Sequence, residues 1–114
     1  MTSNLILTPY TFIPPKGDEV KGEIEWPKNP GYEKIKELVE PYVGGWLEHV
    51  YVLNEGKQVD MFVNENGHML KLPFNLRATT LYRAASLKRW PGMDPKTLPI
   101  IVGPAVVFHR PVWS

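Results

Sequence analysis

Two runs of β-branched and aromatic residues, separated by a short turn, constrain the fold of this chain more than any other feature. The runs are "WLEHVYVL" (Trp46–Leu53) and "KQVDMFVN" (Lys57–Asn64), and "NEG" (Asn54–Gly56) joins them. Such residues favour the pleated surface of a sheet, and a short turn containing glycine joins antiparallel strands. Asn66-Gly67 predicts a further hairpin turn before a third strand at His68–Leu72. We therefore expect a three-strand antiparallel meander.

The segments that flank the meander predict two helices and a strand near each end of the chain. Apolar residues recur at helical spacing in Tyr32–Pro41 and again between Asn75 and Pro91. Leu5–Pro15 starts like a strand and ends in prolines, which favours an edge strand, and Ile100–Phe108 predicts a buried strand. A bulge or kink is expected at Gly103-Pro104. The expected fold is α+β: a small single domain with a mostly antiparallel sheet and two helices, in the order β-α-β-β-β-α-β.

The 114 residues are sufficient for one hydrophobic core. Lys16–Gly31 is rich in charge, glycine and proline, so we expect an ordered loop whose Trp26 contacts an apolar surface. Within the one domain, residues 1–38 are interpreted as an N-terminal extended arm and the start of the first helix. Residues 39–114 are interpreted as the α+β core with an aromatic C-terminal tail.

The absence of cysteine excludes disulfides, thiolate chemistry and every cysteine-based metal site. The three histidines, His49, His68 and His109, lack ligand spacing, and we expect no metal and no cofactor. The chain has no apolar run of membrane-spanning length and no secretion signal. These features favour a cytoplasmic protein without a membrane partner.

The net charge of +1 conceals an uneven distribution. Residues 1–65 hold eleven acidic residues and six lysines, whereas residues 66–114 hold seven Lys and Arg and only one acidic residue, Asp94. The two parts can attract each other within one fold, or the second part can present a basic surface to an anionic ligand. Arginine slightly favours the second interpretation, because its planar fork suits phosphate and carboxylate.

Asn75 stands just before the periodic residues of the second predicted helix and is a candidate N-cap. Helix N-termini offer free N–H groups and a positive dipole end to anions. The hypothesis is therefore an anion site at the junction of the "NENGH" turn and this helix. In the alternative interpretation Asn75 only caps the helix, Glu65 pairs with Arg77, and Asn66-Gly67 only turns the chain.

Glu48 is expected on one face of a strand with Trp46, Val50 and Val52. A carboxylate among apolar side chains needs a partner, for which Arg77 or Arg83 is suitable, and a catalytic carboxylate is the less favoured interpretation. The candidate ligand-binding residues are Glu48, Asn64, Glu65, His68, Asn75, Arg77, Thr79, Thr80, Tyr82 and Arg83. No catalytic residue is predicted.

The motifs "YVGGWLEHV", "VNENGHMLKLPFNLRATTLY" and "IIVG", in this order, resemble a small family of uncharacterised domains common in bacteriophages and bacterial mobile elements. The resemblance covers about Val39 to Val107. Its polar signature corresponds to Gly44, Gly45, Glu48, Asn64, Glu65, Gly67, Pro73, Asn75, Arg77, Ala78 and Thr79. The resemblance implies no established activity, but it implies a phage-borne protein in the cytosol of the infected cell.

A non-enzymatic ligand-binding protein fits these features best, because the chain has no G-x-S-x-G, P-loop, G-x-G-x-x-G or histidine pair. The expected partner is a small anionic ligand, such as a cyclic nucleotide or nucleotide derivative, that serves as an immune signal and is sequestered by the protein. Arginines at the helix start would hold phosphate, while Tyr82, Trp46 or Trp90 would stack on a base. A homo-oligomer is expected, since such sites often form between subunits.

The alternative is a protein-interaction module that inhibits a host or defence protein by direct binding. Its candidate anchors are aromatic residues in or near proline-rich segments: Trp26, Trp90, Phe108 and Trp113. Duplex DNA is not an expected partner, because no helix presents a pronounced basic recognition face.

Overall fold

The computed structural model, which describes residues 5–28 and 30–112, contains five strands and two α-helices. The strands are β1 (Leu5–Ile13), β2 (Val20–Pro27), β3 (Leu47–Asn54), β4 (Lys57–Asn64) and β5 (Ala105–Phe108). The helices are α1 (Tyr32–Val43) and α2 (Leu76–Arg89), and a short 3-10 helix occupies Pro95–Thr97. The strands form one antiparallel sheet in the order β2-β1-β5-β4-β3. The α+β prediction is confirmed.

Each helix covers a different face of the sheet, because successive side chains of a strand point to opposite faces. On one face, Ile35 and Val39 of α1 pack with Trp26, Phe62 and Phe108. The expected contact of Trp26 with an apolar surface is confirmed, since its ring centroid lies 4.8 Å from that of Phe108. Burying a large aromatic side chain of this kind stabilises the fold by roughly 2 kcal/mol.

The other face holds the second core cluster, which α2 closes with Ala78. Ile13, Val52, Met61 and Val107 contribute to this cluster from four different strands. Because α2 packs mainly against β3, its last turn lies at the β3 edge of the sheet. This placement of α2 determines where a cavity forms.

The N-terminal part of the chain differs from the predicted edge strand and loop. Strand β1 pairs with both β2 and β5, and the predicted loop of Lys16–Gly31 contains β2. Pro9 is tolerated because the last pair with β5 is Tyr10 with Phe108, so Pro9 lies beyond that strand. In β2, the exposed Lys21, Glu23 and Glu25 alternate with the less exposed Gly22, Ile24 and Trp26, but the charges obscured this period of two.

The predicted third strand of the meander is absent. His68–Leu72 forms consecutive turns, in which the Leu72 N–H donates to the Gly67 carbonyl at 2.9 Å. A Cβ on Gly67 would lie 2.8 Å from a methyl of Val102, so the turn packs where only glycine fits. Asn66-Gly67 therefore begins a compact loop instead of a hairpin.

Two element ends also differ from the prediction. Helix α1 continues through Pro41 to Val43, so this proline does not end the helix, although it lacks an N–H for the bond to the carbonyl four residues before it. Strand β5 is confined to Ala105–Phe108, since Gly103 adopts a φ of +80° and bends the chain before it. The predicted kink at Gly103 is confirmed.

Asn75 joins the start of α2 to two other segments through its buried side chain. Its Oδ1 accepts from the Ala78 N–H at 3.1 Å, which confirms the predicted N-cap. Its Nδ2 donates to the carbonyls of Ile13 and Gly103, each at 2.9 Å. One amide thus fixes α2 relative to β1 and to the segment that precedes β5.

We expect Asn75→Ala to lower the free energy of unfolding by about 3 kcal/mol, from a lost cap and two buried carbonyls without donors. Urea unfolding measures this loss. Thr80→Ala is the control, because the exposed Thr80 hydroxyl donates only to the Leu76 carbonyl of its own helix; its effect should stay within about 0.5 kcal/mol. A loss below about 1 kcal/mol for Asn75→Ala would contradict this role.

Burial and a hydrogen bond with Tyr10 raise the pKa of Tyr42 from 10.0 to about 12. A raised pKa in the folded state favours the neutral phenol, so its contribution is complete below pH 10 and is lost as the pH rises to 12. We expect Tyr42→Phe to lose less stability than the wild type across this range. Parallel curves of unfolding free energy against pH would refute this contribution of Tyr42.

Candidate functional site

Arg77, whose side chain is 35% exposed, uses its guanidinium for contacts within the protein. Its guanidinium Nη2 donates to the carbonyls of Pro14 and Gly17, both at 2.7 Å, and Nη1 lies 3.8 Å from a carboxylate oxygen of Glu19. The side chain therefore holds the β1–β2 turn against the start of α2. The alternative prediction that Arg77 pairs with Glu65 is wrong, because its ion-pair partner is Glu19.

The threonines of the first turn of α2 use their hydroxyls for backbone contacts. Thr79 is buried; its Oγ1 accepts from the Ile101 N–H at 2.8 Å and donates to the Ile101 carbonyl at 3.3 Å. Thr80 is exposed, and its hydroxyl donates to the Leu76 carbonyl at 2.9 Å. Thr79, like Asn75, thus directs its polar group into the fold, whereas the Thr80 hydroxyl is used within its own helix.

The polar residues of the preceding turn behave in the same way. Asn64 is buried; its Nδ2 donates to the Val43 carbonyl at 3.1 Å and its Oδ1 accepts from the Asn66 N–H at 2.8 Å. His68 Nε2 lies 3.1 Å from the Ile100 carbonyl. The crowding of amides and imidazole in this stretch is explained by its role in closing a loop.

The remaining predicted residues are dispersed. Glu48 and Glu65 are exposed, so water can solvate their carboxylates, and Arg83 donates to the Leu98 carbonyl at 3.4 Å. The two arginines that were expected to pair with Glu48 contact other groups. Arg77 forms an ion pair with Glu19, and Arg83 donates to the Leu98 carbonyl. Only Tyr82 among the ten candidates lines the cavity described next.

A cavity of about 480 Å³ lies between the second half of α2 and strand β3. Tyr82, Ala85, Ser86 and Arg89 line it from the helix, since their spacing of i, i+3, i+4 and i+7 places them on one face. Residues 50–53 of β3 line the opposite side. Because β3 is the last strand of the sheet among the described residues, the cavity lies at the sheet edge and opens to solvent.

Arg89 is the central charged group of this cavity. Its Nη2 donates to Gln58 Oε1 at 2.6 Å, and its guanidinium carbon lies 5.6 Å from the Tyr51 ring centroid and 5.3 Å from that of Trp90. These distances are typical of cation–π contacts. The guanidinium thus lies near two partly exposed aromatic rings, with donors still available to a ligand.

The lining is cationic and aromatic. Lys88 and Arg89 supply positive charge from the last turn of α2, and no carboxylate or histidine of the described residues lines the cavity. Tyr51 and Trp90 are 39% and 51% exposed, so their rings are accessible. A planar ring with an attached phosphate or carboxylate matches this combination.

The sequence interpretation missed Tyr51, Gln58 and Arg89. A signal was present in α2, where the stripe of Tyr82, Ala85 and Ser86 continues to Arg89. Gln58 could not be found in this way, because its contact with Arg89 joins residues 31 positions apart.

The aromatic anchors of the alternative interpretation have different environments. Trp26 and Phe108 are buried in the core, whereas Trp90 is exposed beside the cavity. Trp113 lies outside the described residues. The core packing of the first two removes them from any interface.

Two further features concern only the part of the chain that the structure describes. No three His, Cys, Asp or Glu side chains come together there in a way that would hold a metal ion. None of its helices is both long and apolar enough to cross a membrane.

The fold and the cavity define a class: a small α+β domain whose antiparallel sheet carries one helix on each face and a ligand-sized cavity at one edge. The chain belongs to the family described as Domain of unknown function (DUF3846), whose model matches residues 12–111. The match confirms the resemblance to an uncharacterised domain family and extends it over β2 and α1, beyond the expected limit of Val39. No curated protein and no solved structure matches the chain.

We expect Arg77→Ala to lower the free energy of unfolding by about 1–2 kcal/mol, because two carbonyls of the β1–β2 turn lose a charged donor. Chemical denaturation tests this, with Glu19→Gln as the control; its exposed ion pair should contribute less than about 1 kcal/mol. Full stability of Arg77→Ala combined with a loss of ligand binding would instead support the anion site predicted from the sequence.

Proposed function

We propose that this protein binds a small anionic ligand with a planar ring, a nucleotide or nucleotide derivative, in the β3–α2 cavity. Binding without chemical turnover sequesters the ligand. The observation that carries the proposal is that Arg89 lines a cavity of about 480 Å³ and lies within about 6 Å of the ring centroids of Tyr51 and Trp90, which line the same cavity.

The chemistry of the cavity supports this ligand class. Arg89 and Lys88 offer charge-assisted hydrogen bonds to phosphate oxygens, which are about twice as strong as neutral ones. Trp90 or Tyr51 offers a stacking surface to a base, a contact that contributes about 1–3 kcal/mol in single-stranded nucleic acid complexes. Tyr82 and Ser86 also line the cavity, and their hydroxyls can bind the polar edge of a base.

The biological part of the proposal rests on the resemblance to phage-borne domains. The ligand is then a nucleotide immune signal, such as a cyclic nucleotide, and its sequestration in the cytosol of the infected cell counters host defence. Sequestration requires only tight binding and a sufficient amount of protein, so a non-enzymatic cavity is adequate for this function.

A second candidate is an interaction module that inhibits a host or defence protein, and Trp46 is the observation that favours it. Its ring is 52% exposed, Lys36 Nζ lies 3.7 Å from its centroid, and a shallow groove runs from it along α1. Exposed tryptophans beside rigid backbone are frequent anchors of protein interfaces. Failure of every nucleotide to bind would favour this candidate.

We expect NAD, ADP-ribose or cyclic di- and trinucleotides to raise the thermal midpoint of the purified protein by mass action. Arg89→Gln should weaken the binding that calorimetry measures by roughly 30-fold, because a charge-assisted bond contributes about 2 kcal/mol. Trp90→Ala should weaken it to a similar extent by removing the stacking surface.

Lys96→Gln is the matched control, because it removes one exposed positive charge outside the cavity lining. Inorganic phosphate and unphosphorylated nucleosides test the two halves of the ligand separately, and each should bind more weakly than the nucleotide. Nucleotide binding that persists in both Arg89→Gln and Trp90→Ala would show that the ligand binds elsewhere.

A further inference from the structure

Large apolar side chains are exposed together on the loop that leads into α2. We call Met69, Leu70, Phe74 and Leu76 the loop patch; Met69 and Leu76 are 79% and 63% exposed. Scattered exposed apolar residues are ordinary, but four within eight positions form a concentrated surface of the kind found at interaction sites.

The backbone beneath the loop patch is well ordered by internal contacts. The Leu70 N–H donates to the Asn66 carbonyl at 2.9 Å, and Phe74 forms a β-bridge with Val102. Together with the tight packing of Gly67, these contacts fix the backbone of the loop. The loop presents a preformed surface, which reduces the entropy cost of association.

Residues 69–76, which contain the loop patch, carry a single charge, that of Lys71. No acidic residue occurs between Asn66 and Met93 in the sequence. A partner for this patch therefore needs apolar side chains accompanied by carboxylates.

The chain itself carries a surface of that kind at the start of β1, which we call the ribbon patch. Leu5, Leu7 and Pro9 share one side of the β1–β2 ribbon, and Leu7 is 61% exposed. Glu25 and Glu23 stand opposite Leu7 and Pro9 in the strand register and are exposed on the same side. Apolar groups and carboxylates thus alternate across this surface.

The two patches lie at opposite ends of β1. Ile13, at one end, accepts a hydrogen bond from Asn75 beside the loop patch. Leu7 is six residues away along an extended strand, a distance of about 20 Å. A second copy can therefore place its ribbon patch on the loop patch of the first without contacting the first copy's own ribbon.

We propose that copies of this protein associate head to tail, with the ribbon patch of one copy bound to the loop patch of the next. A symmetric pairing of loop patches would oppose Lys71 to Lys71, and a symmetric pairing of ribbon patches would bring four glutamates together. The head-to-tail arrangement replaces both repulsions with Lys71 opposite Glu23 and Glu25. Such heterologous contacts produce rings or open chains, according to the rotation between neighbours.

Sedimentation velocity tests the proposal on the full chain. The wild type should form species that grow with concentration and diminish at high salt, because the interface is partly ionic. Leu7→Asn and Leu70→Asn each remove one exposed apolar group from a different patch. Each variant alone should associate at least about tenfold more weakly than the wild type.

Mixing the two variants distinguishes the head-to-tail arrangement from a symmetric pairing of like patches, whereas growth of the wild type beyond a dimer distinguishes it from a two-fold dimer in which each ribbon patch binds the partner's loop patch. The Leu7→Asn copy retains its loop patch and the Leu70→Asn copy retains its ribbon patch, so an equimolar mixture should form a 1:1 dimer that grows no further. The double variant Lys71→Glu/Glu25→Lys should associate better than either charge-reversed single variant.

A wild type that stays monomeric at all soluble concentrations would overturn the proposal. A dimer whose variants do not complement each other in the mixture would overturn it as well, by showing a symmetric interface. Because Leu7 and Leu70 do not line the β3–α2 cavity, both variants should bind nucleotide like the wild type. Failure of self-association is thereby separable from failure of the proposed ligand binding.

Discussion

The buried side chain of Asn75 is the interaction on which the arrangement of this fold depends. Its amide bonds three segments that are distant in sequence: the first turn of α2, the end of β1 at Ile13 and the segment before β5 at Gly103. The side-chain oxygen of Asn75 accepts one hydrogen bond and its NH2 group donates two. A buried polar group that is hydrogen-bonded in this way specifies one arrangement of its neighbours. The position of α2 on the sheet follows from it, and the last turn of the helix lies where the cavity forms.

The stretch of residues 64–83 shows that structural support and a ligand-binding site can use the same types of residue. A helix start rich in Asn, Thr and Arg has the chemistry of an anion site, and the same groups are equally suited to satisfying backbone carbonyls. Here Asn64, Asn75, Arg77 and Thr79 all bond to the backbone of segments distant from them in the sequence. Burial makes these bonds necessary, since a buried carbonyl without a donor costs about 1–3 kcal/mol.

At the other end of α2 the charged groups are accessible. Arg89 donates to one side-chain acceptor, Gln58, and lies near two aromatic rings. These contacts orient its guanidinium and leave other N–H donors for a ligand. Orientation of this kind lowers the entropy cost of binding a phosphate or carboxylate. The contrast between Arg77 and Arg89, at the two ends of one helix, separates structural support from a surface suited to a ligand.

The sequence by itself determined the α+β class, the β3–β4 hairpin, both helices and the Asn75 cap, because period, turn residues and capping act over a few neighbouring positions. It did not determine that β1 pairs with β5, that β2 exists within a charged segment, or that His68–Leu72 turns. Those outcomes depend on partners tens of residues away. Only the tertiary structure brought Arg89, Gln58 and Tyr51 together and joined Arg77 to the β1–β2 turn. The reason is that hydrogen-bond partners distant in the chain compete for each side chain, and the local sequence pattern does not show which partner is bound.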